Sequence, residues 1–86
     1  MKTVPCEIIT PEKVAFRDQA EFVVAPGLEG ELGILPGHAR LLARLVRGEV
    51  RIVKGQETKK FVIEGGFAHI GPAAVKIVTP AIKPLQ

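Results

Sequence analysis

Glycine and proline interrupt this chain at short intervals, which favours β-strands over long helices. The turn signals are Thr10-Pro11, Pro26-Gly27, Gly30, Gly33, Pro36-Gly37, Gly48, Gly55, Gly65-Gly66, Gly71-Pro72 and Thr79-Pro80. The segments between them have strand length and are rich in Val and Ile, which favour pleated sheet. Many short strands separated by turns are typical of a sandwich or a barrel. The pattern therefore predicts an all-β fold.

The size and composition predict one domain, residues 1–86, with an aliphatic core. Hydrophobic residues make up 47% of the 86, but there is no Trp or Tyr and there are four Phe. No apolar run approaches the roughly 20 residues that a membrane-spanning helix needs, and the N-terminus lacks the apolar block of a signal peptide. We therefore expect membrane contact to come through a partner.

Residues 38–47 carry a conflicting signal. Arg40, Arg44 and Arg47 have helical spacing. As a strand, the segment would direct Leu41, Ala43 and Leu45 to the core and Arg40, Leu42 and Arg44 outward. The pattern alone does not decide between helix and strand. By contrast, residues 49–53 alternate as a strand does, with Val50 and Ile52 on one side.

Charge is distributed unevenly along the chain. Residues 1–38 have a net charge of −3, and residues 39–86 have a net charge of +6. A small nucleic-acid-binding barrel is one interpretation, using Arg40, Arg44, Arg47, Arg51, Lys54, Lys59 and Lys60. Single-strand binders also need exposed aromatic platforms. Phe61 and Phe67 lie in apolar runs, so we expect both to be buried and nucleic acid not to be a partner.

Residues 26–39 are the most informative segment. Four glycines, at 27, 30, 33 and 37, permit tight turns. A phosphate-binding loop would need Lys and Ser or Thr after its last Gly, which this segment lacks. Glu29 and Glu31 would also repel phosphate. The pattern indicates an acidic loop with both carboxylates on one side and Leu28 and Leu32 beside them, suited to docking on a basic protein surface.

The remaining reactive residues predict no catalysis, metal or cofactor. Ser is absent, and Cys6 is the single cysteine, expected to pack as a small hydrophobe in the first strand. His38 and His69 are far apart in sequence without a third ligand at metal-binding spacing. We therefore expect that the chain is not an enzyme by itself.

The acidic segment Glu29-Gly30-Glu31-Leu32-Gly33-Ile34-Leu35-Pro36-Gly37-His38-Ala39 resembles the hallmark segment of the epsilon subunit family of F-type ATP synthases. The resemblance extends, in the same order, through Thr10-Pro11-Glu12 with Phe16, Arg51-Ile52-Val53-Lys54, Gly65-Gly66-Phe67, and Val75-Lys76-Ile77-Val78 with Ala81-Ile82. It implies a flattened antiparallel β-sandwich of about ten short strands, without a C-terminal helical domain, and it implies that residues 38–47 form a strand.

The resemblance also implies a role and partners. Family members are non-catalytic subunits of the rotating central stalk, which join the gamma subunit to the membrane c-ring and couple proton flow to ATP synthesis. By this match the ring contacts are Glu29, Gly30, Glu31, Leu32 and Gly33, and His38 and Leu42 lie at the junction of gamma and the ring. Arg40 stands where other members often have Pro, which is a departure from the family pattern.

Two further expectations come from the resemblance alone. The protein is expected at the cytoplasmic face of the inner or plasma membrane, as a peripheral part of the complex. Family members usually continue into a C-terminal helical hairpin that can inhibit hydrolysis and, in some members, bind ATP. Because this sequence stops at Gln86, neither inhibition by such a hairpin nor ATP binding is expected of it.

Overall fold

Alternation of buried and exposed side chains sets the first strand and repeats through the fold. Val4, Cys6 and Ile8 are buried, whereas the residues between them face outward. The computed structural model describes residues 2–37 and 40–85. Within them lie eight strands and no helix: β1 Val4–Ile9, β2 Val14–Ala20, β3 Phe22–Gly27, β4 Gly30–Ile34, β5 Leu41–Lys54, β6 Glu57–Ile70, β7 Val75–Val78 and β8 Ile82–Leu85. The predicted all-β class is confirmed.

The strands form one sheet in the order β2-β1-β7-β6-β5-β3-β4, and β8 pairs with the first half of β6. All pairs are antiparallel except β1 with β7. The parallel pair brings the first strand beside one formed almost 70 residues later, a contact that a wholly antiparallel sandwich does not include. Thr79 N–H, just after β7, donates to the Ile9 carbonyl at 2.9 Å and extends this pairing.

The paired strands β5 and β6 form a long ribbon that changes its buried face. In β5 the core side chain is Leu45 at first and then Val50 and Ile52, which have the opposite parity. The antiparallel pairing of β5 with β6 runs from Leu41↔Ile70 to Lys54↔Glu57 in a single register. The ribbon therefore coils, and its two halves contribute to opposite walls of the core.

Contacts between strands that are not neighbours in the sheet show how the sheet closes. The Phe16 ring of β2 lies 5.3 Å from the Phe61 ring of β6, in an edge-to-face arrangement. Beside them, Lys54 Nζ lies 3.0 Å from the Asp18 carboxylate. The enclosed cluster is aliphatic, as predicted, and its largest fully buried side chains include Ile8, Ile34, Ile63 and Ile77.

The strand count differs from the expected ten because two predicted turns lie inside strands. Gly48 belongs to β5, and Gly65 and Gly66 belong to β6. Gly65 and Gly66 have φ values of 83° and 119°, so they bend the ribbon without shifting its register. β5 and β6 are therefore 14 residues each.

Residues 41–47 are strand, as the family resemblance implied, and the alternation predicted for residues 49–53 is confirmed. One predicted core residue of this segment is wrong. Leu45 is buried and Ala43 is half-buried, but Leu41 is 50% exposed because it lies at the start of β5, beside an open groove.

Candidate functional site

The acidic segment forms a tight hairpin between β3 and β4. Gly27 pairs with Gly30, which leaves Leu28 and Glu29 as the two-residue turn. Gly30 has a φ of 128°, a conformation that other residues rarely adopt. A Cβ at Gly27 would lie 2.6 Å from the Gly30 carbonyl oxygen. Two of the four glycines are thus required by the turn itself.

One hydrogen bond fixes this hairpin tip to the rest of the sheet. The Leu28 N–H donates to the Arg44 carbonyl of β5 at 2.9 Å. Behind the tip, Leu32 is half-buried and packs against the core, and Ile34 is buried. Gly33 lies against Phe22, whose Cζ would be 3.2 Å from an added Cβ. The tip is therefore held by the pairing of β3 with β4 and by its hydrogen bond to β5.

The two carboxylates of the tip have different surroundings. Glu29 lies in the turn, is exposed, and has no ion pair within the described part of the chain. Glu31 lies in β4, with its carboxylate 3.7 Å from Arg51, which also lies 3.8 Å from Glu49. Because Glu29 lies in the turn and Glu31 in β4, the strand alternation from which we expected both carboxylates on one side does not run through residues 29–31.

A groove of about 470 Å³ lies between the hairpin and the start of β5, lined by residues 27–32 and 41–44. Its rim is apolar, because Leu28, Leu41 and Leu42 are 59%, 50% and 67% exposed. We call this the leucine groove. Leu41 was predicted to face the core, not to line a groove. The available signal was the pair Leu41-Leu42, since alternation in a strand cannot bury two consecutive side chains on one face.

Of the two residues expected at the gamma junction, Leu42 is described and His38 lies outside the described residues. Leu42 is directly opposite His69 on β6. It therefore faces outward, on the side of the sheet away from the core.

The same outer face carries a row of exposed apolar side chains. Phe67 is opposite Val78, Val78 is opposite Ile9, and Ile9 is opposite Val14. Phe67, Val78 and Val14 are each 43–49% exposed, and Ile9 is half-exposed. We call these four residues the apolar strip. Sequence reasoning missed it and was wrong to bury Phe67, because the switch of buried face in β6 turns this residue outward.

The basic residues considered for nucleic acid are dispersed and partly neutralised. Arg47 pairs with Glu64, Arg51 with Glu31 and Glu49, and Lys54 with Asp18. Lys54 and the Gln19 N–H both donate to Asp18, which lowers the pKa of that carboxyl. Phe61 packs in the core against Phe16. Phe67 alone does not provide the stacked aromatic platform that single-strand binding requires.

The structure gives Cys6 no reactive environment. Its side chain is fully buried, and burial, followed by the charge of Glu7, raises its pKa from 9.0 to about 12. Across residues 2–37 and 40–85 no group of three metal-ligating side chains comes together. Over the same residues, no helix is long and apolar enough to span a membrane.

Comparisons with known proteins identify the family of this fold. The family described as "ATP synthase, Delta/Epsilon chain, beta-sandwich domain" matches residues 3–84. An ATP synthase epsilon chain of Desulforamulus reducens is 43% identical over 77 residues, covering 90% of this chain and 58% of the relative. An epsilon chain of Ralstonia nicotianae is 45% identical over 76 residues, covering 87% and 55%. The chain thus spans somewhat more than half the length of these relatives.

Solved structures show the same fold. One chain of the Euglena gracilis mitochondrial ATP synthase, in an assembly of OSCP, F1 and c-ring, has a TM-score of 0.88 at 25% identity, with 95% of this chain and 53% of that chain covered. A chain from the central stalk and c-ring of the Tetrahymena thermophila enzyme has a TM-score of 0.77 at 17% identity, covering 95% and 66%. The match of the family over nearly all described strands shows that the chain belongs to the β-sandwich domain family of the ATP synthase delta and epsilon chains.

Proposed function

We propose that this chain is a non-catalytic part of the central stalk of an F-type proton-transporting ATP synthase, where it joins the gamma subunit to the c-ring. The observation that carries the proposal is the hairpin tip, which presents an exposed leucine and a carboxylate without an ion pair among the described residues, on backbone fixed by β5. Because this tip occurs in a member of the delta and epsilon chain family, we infer that it docks on the c-ring.

The ring contact in this proposal is formed by Glu29, Gly30, Glu31, Leu32 and Gly33. Glu29 meets a basic side chain of the ring without first breaking an ion pair, whereas Glu31 exchanges Arg51 for a new partner. Exposed pairs contribute only about 0–1 kcal/mol each. The charges therefore set orientation and association rate, and the leucine groove provides the apolar area.

The gamma contact is assigned to the outer face of the sheet. An apolar patch that remains exposed on a small domain often marks a protein interface. The apolar strip is such a patch, and Leu42 lies in the adjacent row of the same face. In this arrangement Leu42 lies between the ring contact and the gamma contact, as expected for a residue at their junction.

The mechanical role follows from how the two surfaces are connected. β5 carries Leu42, accepts the hydrogen bond from the tip at Arg44, and enters the core at Leu45. Rotation of the ring is passed through this strand to gamma without bond chemistry in the chain. The complex brings the protein to the cytoplasmic face of the membrane, and the chain itself makes no direct lipid contact.

The test is a charge reversal at the tip with a matched control. Glu29→Lys/Glu31→Lys is expected to weaken assembly of the catalytic head on the ring and to lower proton-driven ATP synthesis in reconstituted vesicles. Glu12→Lys/Glu57→Lys changes the net charge equally at exposed positions away from the tip, and it should retain both activities.

Both variants must first bind gamma, measured by co-purification. If the tip variant assembles and synthesises ATP as well as the control does, the ring-docking role is wrong.

A further inference from the structure

A second, basic groove lies on the outer face, beside the turn that joins β6 and β7. It has a volume of about 260 Å³, and its polar lining side chains are Arg40, His69 and Lys76, around the small residues of the turn at 71–74. The turn is closed by the Gly71 N–H, which donates to the Ala74 carbonyl at 3.0 Å. Among the described residues that line this groove there is no Asp or Glu.

The three basic side chains of this groove are available to a partner. Arg40, His69 and Lys76 are exposed, and none of them has an ion pair or side-chain hydrogen bond within residues 2–37 and 40–85. Glu7, opposite Lys76 on β1, is held by Arg17 at 2.6 Å. In contrast, three of the basic residues of β5, at 47, 51 and 54, are paired within the sheet.

The position of this groove connects it with the proposed gamma surface. Leu42, His69 and Lys76 are consecutive cross-strand neighbours in one row of the outer face. The next row along the same strands contains Phe67 and Val78 of the apolar strip. A protein that covers the apolar strip therefore needs to extend by only one row of side chains to cover the basic groove.

We propose that the basic groove receives an acidic segment of the protein that covers the apolar strip. This inference rests on the proposed function, in which that protein is the gamma subunit. The basic side chains of the groove are all exposed, so their attraction for an isolated phosphate would be screened by water and salt. A polypeptide already seated on the adjacent apolar area can instead place several carboxylates here together, where they increase the association rate and fix orientation.

The experiment measures the binding of this chain to purified gamma by surface-immobilised kinetics at several salt concentrations. For Arg40→Glu/Lys76→Glu, the association rate at low salt should fall on the order of tenfold, because steering is reversed. The difference should shrink at high salt. Lys60→Glu/Lys83→Glu, with the same change in net charge at exposed positions remote from the groove, should bind like the original chain.

The neutral variant Arg40→Gln/Lys76→Gln should lie between the original chain and the reversal, and circular dichroism spectra identify any variant that does not fold. Equal association rates for the groove and control reversals would overturn the inference, since only net charge would then matter. Groove-dependent binding to vesicles of anionic lipid, with gamma binding unchanged, would also overturn it. Failure of the original chain to bind gamma would instead refute the proposed function.

Discussion

Replacing Gly66 by Ala would place a methyl group at the point where the β5–β6 ribbon changes its buried face. The added Cβ would lie 1.9 Å from the Val78 carbonyl oxygen and 3.0 Å from the Thr79 Cα. Both are backbone atoms, so no side chain can rotate to relieve the contact. Gly66 also has a φ of 119°. Gly66→Ala is therefore destabilising for two reasons: the new methyl group overlaps backbone atoms, and alanine disfavours this φ.

Gly30 provides a matched control, because it has a similar φ of 128° and nothing within 4 Å of an added Cβ. Gly30→Ala should lose only the conformational term, about 1–3 kcal/mol. Gly66→Ala adds a forced backbone shift of about 1–3 kcal/mol, for a total of about 2–6 kcal/mol. At roughly 0.05–0.15 kcal/mol per residue, a domain of this size has about 4–13 kcal/mol of stability. Gly66→Ala should thus remove on the order of half of the domain's stability, clearly more than Gly30→Ala removes.

The assay is urea unfolding followed by far-ultraviolet circular dichroism, since the chain has no Trp or Tyr to report by fluorescence. The free energies of unfolding of the two alanine variants are compared, provided that both show the same dependence on urea concentration (the same m-value). A difference of less than about 1 kcal/mol between them would refute the steric argument. It would mean that β7 moves away from β6 at little cost.

Three further predictions concern single side chains. Lys54→Met should raise the pKa of Asp18, because Lys54 is the leading cause of its lowering; carbon NMR titration of the carboxyl would contradict this if the pKa stayed in place. Since the pKa of Cys6 is raised to about 12, the thiol should resist a disulfide reagent at pH 8 in the folded chain and react at once in urea; rapid native labelling would argue against its burial. Leu45→Ala, at a core position 4% exposed, should cost about 2–5 kcal/mol, whereas Leu42→Ala should cost less than about 0.5 kcal/mol yet weaken gamma binding. Equal losses of stability would refute the assigned faces.

The strands were predictable from sequence because their signals are local. Val50 and Ile52 alternate with polar neighbours, and both are buried. The hairpin tip was also predictable, because Gly27 and Gly30 flank a turn that needs them. In residues 38–47 the arginine spacing and the leucine alternation disagreed, and pairing of β5 with β6 decided in favour of the strand. That pairing is tertiary information, which local patterns do not contain.

The outer surfaces were not predictable for a related reason. Whether Phe67 faces the core depends on which side of the ribbon is buried, and that side changes between Ile63 and Ala68. Two consecutive glycines are typical of a turn between strands, and a turn was predicted at Gly65-Gly66; they lie instead inside β6. Likewise, the groove residues His69 and Lys76 become neighbours only through the pairing of β6 with β7.

The coil of the β5–β6 ribbon also explains how so small a domain can present the two proposed docking surfaces and still enclose a core. A flat two-stranded ribbon would bury one face throughout, and all its outward side chains would lie on a single surface. Because this ribbon changes its buried face, Leu42 and Phe67 point outward at one half, whereas Arg51, with Glu31 beside it, points outward at the other. In the proposed stalk, a load applied at the tip is therefore carried by paired strands, with β5 and β6 in one register throughout, rather than by a loop. Flexibility at Gly66 would reduce coupling even if both docking surfaces kept their side chains.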